Sequence, residues 1–277
     1  MTALLTVACV QNCADPNTAR NVATLRSGIA AAVERGANLV ALPEYCASYD
    51  DGPSGLRIGA EPETAHPALA ALRATAREQG VWLAIGSLGV QADGRTWNRS
   101  YLVDPDGEVR ARYDKVHLFD VDLAGGESYR ESSIIAPGEH AVVAETPLGA
   151  LGFSVCYDLR FPQLYRALAK AGAHILLVPA AFTRTTGRAH WHVLLQARAI
   201  ETGCFVVAAS QCGEKQDRSL ARFGHSLIVS PWGEVLADAG EEPGIVTASL
   251  DLRQVDTARR TIPALRHDRP FDPPLAC

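Results

Sequence analysis

The chain has 277 residues, with 26 Lys and Arg against 31 Asp and Glu, a formal net charge of −5. At 47% hydrophobic and 21% charged it has the composition of a folded globular protein, which excludes a disordered chain. The mild negative charge lacks the basic face a nucleic-acid binder needs, and no run of about 18 apolar residues offers a membrane span.

Short apolar runs alternate with helical patterns along the whole chain. Leu4–Gln11 reads as a strand without the basic start of a signal peptide. Thr18–Arg35 reads as a helix, with Asn17 as N-cap and Val22, Leu25, Ile29 and Val33 on one stripe. Leu39–Leu42 is a buried strand, and His66–Gln79 a helix ending at Gly80. Trp82–Val90, Trp97–Val103 and Val109–Tyr113 are strands, the last two joined by the turn Asp104-Pro105-Asp106-Gly107. Ala141–Thr146 and Leu151–Val155 flank a turn at Pro147–Gly149. Then come a helix at about Gln163–Ala171, the strand Ile175–Val178 and a helix at about Ala189–Glu201. Phe205–Ser210, Ser226–Val229, Val235–Ala237 and Ile245–Leu250 close the list of strands, with Pro231-Trp232-Gly233 as a turn and a short helix last. No linker or change of composition divides the chain. One α/β domain over residues 1–270 is expected, with an extended tail at 271–277.

Seven scattered cysteines with no C-x-x-C pair suit reduced thiols in the cytoplasm. Cys156 differs from the rest. It ends the small, apolar run Gly152–Val155, and Phe161-Pro162 then opens a helix, so it sits at a strand-to-helix turn near free backbone N–H groups. Glu44 follows the strand Leu39–Leu42 and Pro43, at a strand end where α/β proteins build sites, and is a candidate general base. Lys115 follows the hairpin strand; a cation beside a thiol lowers the thiol pKa and stabilises an oxyanion. Glu131 is a candidate for positioning a substrate, with Glu127 as its rival.

Other chemistries find less support. His190 and His192, at i and i+2 of a predicted helix, point about 200° apart and cannot share a metal, and His225 opens a strand. No H-E-x-x-H, G-x-G-x-x-G or Walker A string occurs, so neither metal nor nucleotide is expected. Phe182, Trp191, Phe205 and Trp232 alternate with apolar neighbours and read as core.

The strings Ala41-Leu42-Pro43-Glu44-Tyr45, Tyr113-Asp114-Lys115-Val116-His117-Leu118-Phe119 and Ser154-Val155-Cys156-Tyr157-Asp158-Leu159-Arg160-Phe161-Pro162 resemble the motifs of the nitrilase superfamily, in its order Glu, Lys, Cys. Further similarity runs through Thr186-Gly187-Arg188-Ala189-His190-Trp191 and Gly224-His225-Ser226, from about Leu4 to Arg269, and is nearest to the Nit amidase branch. One position departs: His192 follows Trp191 where the branch carries Glu.

The resemblance implies a four-layer αββα sandwich that dimerises through a helical face. It implies a triad of Glu44, Lys115 and Cys156, with Glu131 as the second glutamate, six residues before Pro137-Gly138. The expected reaction hydrolyses a small ω-amide, such as deaminated glutathione or α-ketoglutaramate, through a cysteine thioester and without a cofactor. A carboxylate on such a substrate calls for an arginine fork. Arg184, on a loop with Phe182 and Thr183, is the candidate, with Tyr157 beside the thiol; Arg160 reads as a structural arginine paired with an acid. The alternatives are a nitrile or N-carbamoyl hydrolase using the same triad, and a non-catalytic interaction protein on this fold.

Overall fold

The computed structural model describes residues 4–50, 56–122, 128–213, 221–272 and 275. In chain order the elements are β1 (Leu5–Gln11), α1 (Thr18–Glu34), β2 (Leu39–Ala41), β3 (Glu61–Pro62), α2 (Pro67–Gln79), β4 (Trp82–Ala92), β5 (Arg95–Val103), β6 (Val109–Asp114), β7 (Asp120–Asp122) and β8 (Ser128–Arg130). They continue with β9 (Val143–Ala144), β10 (Leu151–Phe153), α3 (Pro162–Lys170), β11 (Ile175–Leu177), α4 (Arg184–Thr202) and β12 (Phe205–Ala208). Last come β13 (Cys212–Gly213), β14 (Arg222–Phe223), β15 (Leu227–Val229), β16 (Val235–Asp238), β17 (Gly244–Leu250) and α5 (Arg253–Thr261).

Two sheets carry the fold. The first runs β17-β1-β2-β4-β5-β6, with β3 beside β4, and the second runs β16-β15-β12-β11-β10-β9. Each has three parallel strands at its centre, β1-β2-β4 and β10-β11-β12, flanked by antiparallel ones.

Period-two alternation explains the layers. In the first sheet Val7, Cys9, Leu39, Ala41, Ala84 and Leu102 face the core shared with Leu151, Phe153 and Leu177 of the second sheet. Their neighbours Ala8, Val10, Val40, Leu83, Tyr101 and Val103 face Leu25, Ile29, Leu69 and Leu72 of α1 and α2. On the far side, Leu164, Leu168, Trp191 and Leu195 of α3 and α4 cover the second sheet. The result is the expected order of helix, sheet, sheet, helix. A strand buried on both faces reads as a continuous apolar run, as Ile175-Leu176-Leu177 does.

Local signals placed most element ends. Asn17 accepts from the Arg20 amide, and Gly80 ends α2 at φ +62°. The Asp104 turn closes with Gly107 N–H on Asp104 O at 2.9 Å. Two expectations fail. The helix expected from about Ala189 begins at Arg184, so Arg184 lies on a helix and not a loop. Thr183 caps that helix by accepting from the Thr186 amide, and Gly187 serves packing: a Cβ there would lie 2.3 Å from Cγ of Phe223. Trp232 is not core but 61% exposed, because it stands on the turn closed by Gly233 N–H on Ser230 O. Part of the expected tail, 273–274 and 276–277, lies outside the described residues, as does Glu127.

Candidate active site

The parallel strands of both sheets end on the same side, and the loops beyond them build a buried polar cluster. Glu44 follows β2, Cys156 follows β10, Ala181 follows β11 and Gln211 follows β12; Lys115 follows β6. Their convergence depends on two glycines. At Gly86 in β4, a Cβ would lie 2.0 Å from the carbonyl oxygen of Leu42 and 2.5 Å from that of Pro43. Only glycine lets the Pro43-Glu44 turn approach the strand. At Gly138, a Cβ would lie 2.1 Å from the Asp114 carbonyl oxygen, and its N–H donates to Lys115 O at 2.8 Å.

Glu44, Lys115 and Glu131 form one buried ion cluster. Lys115 Nζ donates to Glu44 Oε1 at 3.0 Å and to Glu131 Oε2 at 2.7 Å. Asn98 Nδ2 donates to both carboxylates, at 2.9 and 3.1 Å. The Ala181 amide donates to Glu44 Oε2 at 2.9 Å, and Glu131 also accepts from Tyr45 OH and the Phe119 amide. Burial alone would make Lys115 a weaker base, but its two carboxylates outweigh that and hold its pKa well above the usual value. Burial would likewise raise Glu131; the Lys115 ammonium outweighs it and holds that carboxyl low.

Cys156 sits in the left-handed region at φ +50°, with its N–H on Pro179 O at 2.8 Å. A non-glycine residue there marks a strained turn of the kind found at reactive centres. Opposing influences act on its thiol. Lys115 does pull its pKa down, but burial and the Glu44 carboxylate push it well above the usual thiol value. With its pKa raised, the resting group is a neutral thiol, so forming the thiolate calls for a base, and the Glu44 carboxylate is the candidate.

Asp158, absent from the sequence reading as a site residue, ties this turn to the Lys115 segment. It accepts from the Val155 amide at 2.8 Å, Tyr113 OH at 2.7 Å and the His117 amide at 3.0 Å. His117 Nδ1 lies 2.7 Å from the same carboxylate. Asn98, Gln211 and Ser87 were missed as well. Gln211 Nε2 donates to the Glu44 carbonyl and Ser87 Oγ accepts from the Tyr45 amide. No local pattern marks such residues, since each acts on a distant segment.

The residues expected to bind substrate find different partners. Tyr157 packs edge-on against Phe119 and Phe161. Phe182 packs on Trp191, and Thr183 spends its hydroxyl on the α4 cap. Arg184 reaches Glu241 at 3.4 Å. Among the described residues Arg160 pairs with no acid: its Nη1 lies 3.1 Å from His190 Nδ1, with the guanidinium over the rings of Phe182 and Tyr157 at 5.4 and 5.8 Å.

Residues 6–260 match the family model described as carbon-nitrogen hydrolase. The chain is 40% identical over 270 residues to the deaminated glutathione amidase of Yersinia enterocolitica, covering 95% of this chain and 92% of that one. Among solved structures, Nit3 of Saccharomyces cerevisiae, described as a member of branch 10 of the nitrilase superfamily, superposes with a TM-score of 0.81 at 28% identity, over 95% of this chain and 96% of that one. A point mutant of the amidase from Nesterenkonia sp. AN1 superposes at 0.76 with 30% identity, over 93% and 94%; that structure shows covalent addition of the acetamide moiety of fluoroacetamide at its active-site cysteine.

Proposed function

The chain belongs to the carbon-nitrogen hydrolase family, and we propose that it hydrolyses the ω-amide of deaminated glutathione or a related small amide through a thioester on Cys156. The observation that carries this reading is the buried Lys115 bridging Glu44 and Glu131, with the buried Cys156 thiol close enough to feel the charges of both Glu44 and Lys115.

Glu44 takes the thiol proton as Cys156 attacks the amide carbon. Lys115 and the backbone amide of Tyr157 hold the oxygen as it gains charge. Glu44 returns the proton to the leaving nitrogen, ammonia departs, and the acyl group stays on sulfur. Glu44 then activates a water that releases the carboxylate and restores the thiol. Glu131 does no proton chemistry here; it fixes Lys115 and, through Asn98, the face of Glu44.

The carboxylate of such a substrate needs a cation. Of Arg160 and Arg184, Arg160 is favoured because its polar partner is an imidazole rather than an acid. Phe182 and Tyr157 flank its guanidinium. A homodimer through α4 is part of the same reading. Val193 and Ile200, one heptad apart on α4, are exposed, and Ile200, Trp232 and Ile262 line one groove. A second copy of the chain is the occupant that buries them. The cytoplasm suits the reduced, buried cysteines Cys9, Cys46, Cys156, Cys204 and Cys212.

Ammonia release from deaminated glutathione, α-ketoglutaramate, an aliphatic nitrile and an N-carbamoyl amino acid tests the function. Turnover of an ω-amide above the other two classes is expected. Turnover of only the nitrile or the carbamoyl compound overturns the substrate class.

A further inference from the structure

The sequence holds no metal-binding spacing, yet the fold assembles donors that the spacing kept apart. His190 and His192 do diverge, as neighbours at i and i+2 on a helix must. His190 turns to Arg160, and His192 turns to the edge of the second sheet. There it meets His225, just before β15, and Asp238, the last residue of β16.

The donor atoms converge on a single carboxylate oxygen. His192 Nε2 lies 3.1 Å from Asp238 Oδ2, and His225 Nδ1 lies 3.0 Å from the same atom and 2.9 Å from Oδ1. One ligand atom from each residue lies within 4.8 Å of the other two. Around a tetrahedral ion with bonds of about 2.0–2.1 Å, neighbouring ligand atoms stand about 3.3 Å apart. The two short His–Asp edges therefore need to open by a few tenths of an ångström, while the edge between the two imidazoles, bounded at 4.8 Å, draws in toward the same spacing.

The three side chains are held in place before any ion arrives. His225 occupies the left-handed region at φ +53°, unusual for a non-glycine residue. That conformation is fixed from both sides: its N–H donates to Gly240 O at 2.6 Å, and its carbonyl accepts from Trp191 Nε1 at 2.8 Å. Asp238 Oδ1 accepts from the Gly240 amide at 2.8 Å. The His225 ring stacks on Phe223 at 4.4 Å, and His192 meets the same ring edge-on at 6.0 Å. A residue held in a strained backbone by its surroundings points to a use for its side chain. The side chains of His192, His225 and Asp238 are 34%, 22% and 32% exposed, which leaves room for water as a fourth ligand.

We propose that His192, His225 and Asp238 form a surface site for a divalent transition metal of the zinc class, separate from the Cys156 cluster and independent of the amide chemistry. Two imidazoles and one carboxylate suit zinc, cobalt or nickel, whereas magnesium and calcium call for oxygen ligands. The ion would cross-link the first half of α4 to β16 and the segment leading into β15.

The test is calorimetric titration of chelator-treated full-length protein with ZnCl2, followed by CoCl2 with visible absorption. One ion per chain is expected, with a higher Tm, and MgCl2 at the same concentration leaves Tm unchanged. His192→Ala and Asp238→Asn, checked for folding by circular dichroism, lose affinity by about tenfold or more. Cys156→Ala keeps it, and the cobalt spectrum carries no thiolate charge-transfer band. Absence of binding, equal binding in both variants, or loss of binding in Cys156→Ala overturns the site.

Discussion

The hydroxyl of Tyr113 donates to the carboxylate of Asp158 at 2.7 Å and so joins the strand that carries Lys115 to the turn that carries Cys156. Tyr113 stands two residues before the lysine and Asp158 two residues after the cysteine. With the amides of Val155 and His117 on the same carboxylate, one buried side chain sets the spacing between ammonium and sulfur.

Asp158→Asn keeps the shape but turns one accepting atom into a donor facing other donors. The loss is about 1–3 kcal/mol of stability, a Tm lower by roughly 2–5 °C. Because the sulfur and ammonium lose their register, kcat falls while KM changes little. Scanning calorimetry with steady-state ammonia release checks both parts; an unchanged kcat removes the positioning role.

Lys115→Met leaves Glu44 and Glu131 buried without their cation. Breaking a buried pair from one side costs about 3–5 kcal/mol, so this variant should be less stable than Lys115→Met combined with Glu131→Gln. Denaturant unfolding of the two variants checks the order. The reverse order shows that Glu131 is not held by charge.

The ion cluster also fixes the pH range of stability. Glu131 has a depressed folded pKa, so its contribution is present above the usual value near 4.5 and is lost as pH falls through the folded one. Lys115 has a raised folded pKa, so its contribution is full below about 10.5 and is lost as pH rises through the folded value. Glu131→Gln should flatten the acid limb of a Tm–pH profile and leave its shape near neutrality.

Glu44→Gln separates thiol ionisation from turnover. The carboxylate raises the Cys156 pKa, so its removal should move the pH midpoint of Cys156 alkylation by iodoacetamide downward even as ammonia release is lost. A midpoint that stays or rises shows that Glu44 does not face the sulfur. The other buried cysteines, with Cys9 and Cys46 pushed up to about 12, should label slowly in both proteins.

Glu44, Lys115 and Cys156 each follow a recognisable strand, but it was the resemblance of their three strings to the nitrilase motifs that joined them; the structure brings Glu44 and Lys115 into one buried ion cluster with Cys156 near it. Asn98 was not legible, since it lies mid-strand in β5 and reads as an ordinary polar residue until two carboxylates meet its amide. Asp158 was hidden for the same reason: its partners are 41 and 45 residues away. The first turn of α4 was misread because Thr-Thr-Gly reads as loop, whereas the Thr183 cap and the Phe223 ring make it helix. The short pairs β7–β8 and β13–β14 are two or three residues per strand, too short for any periodicity. His192, His225 and Asp238 show the same limit, because only the tertiary fold brings helix and sheet edge together.

The rate of ammonia release from an ω-amide that the parent enzyme turns over, measured for Cys156→Ala of verified fold, bears on the account most directly. Loss of turnover to the uncatalysed background is the predicted result. A variant that releases ammonia at the parent's rate contradicts it.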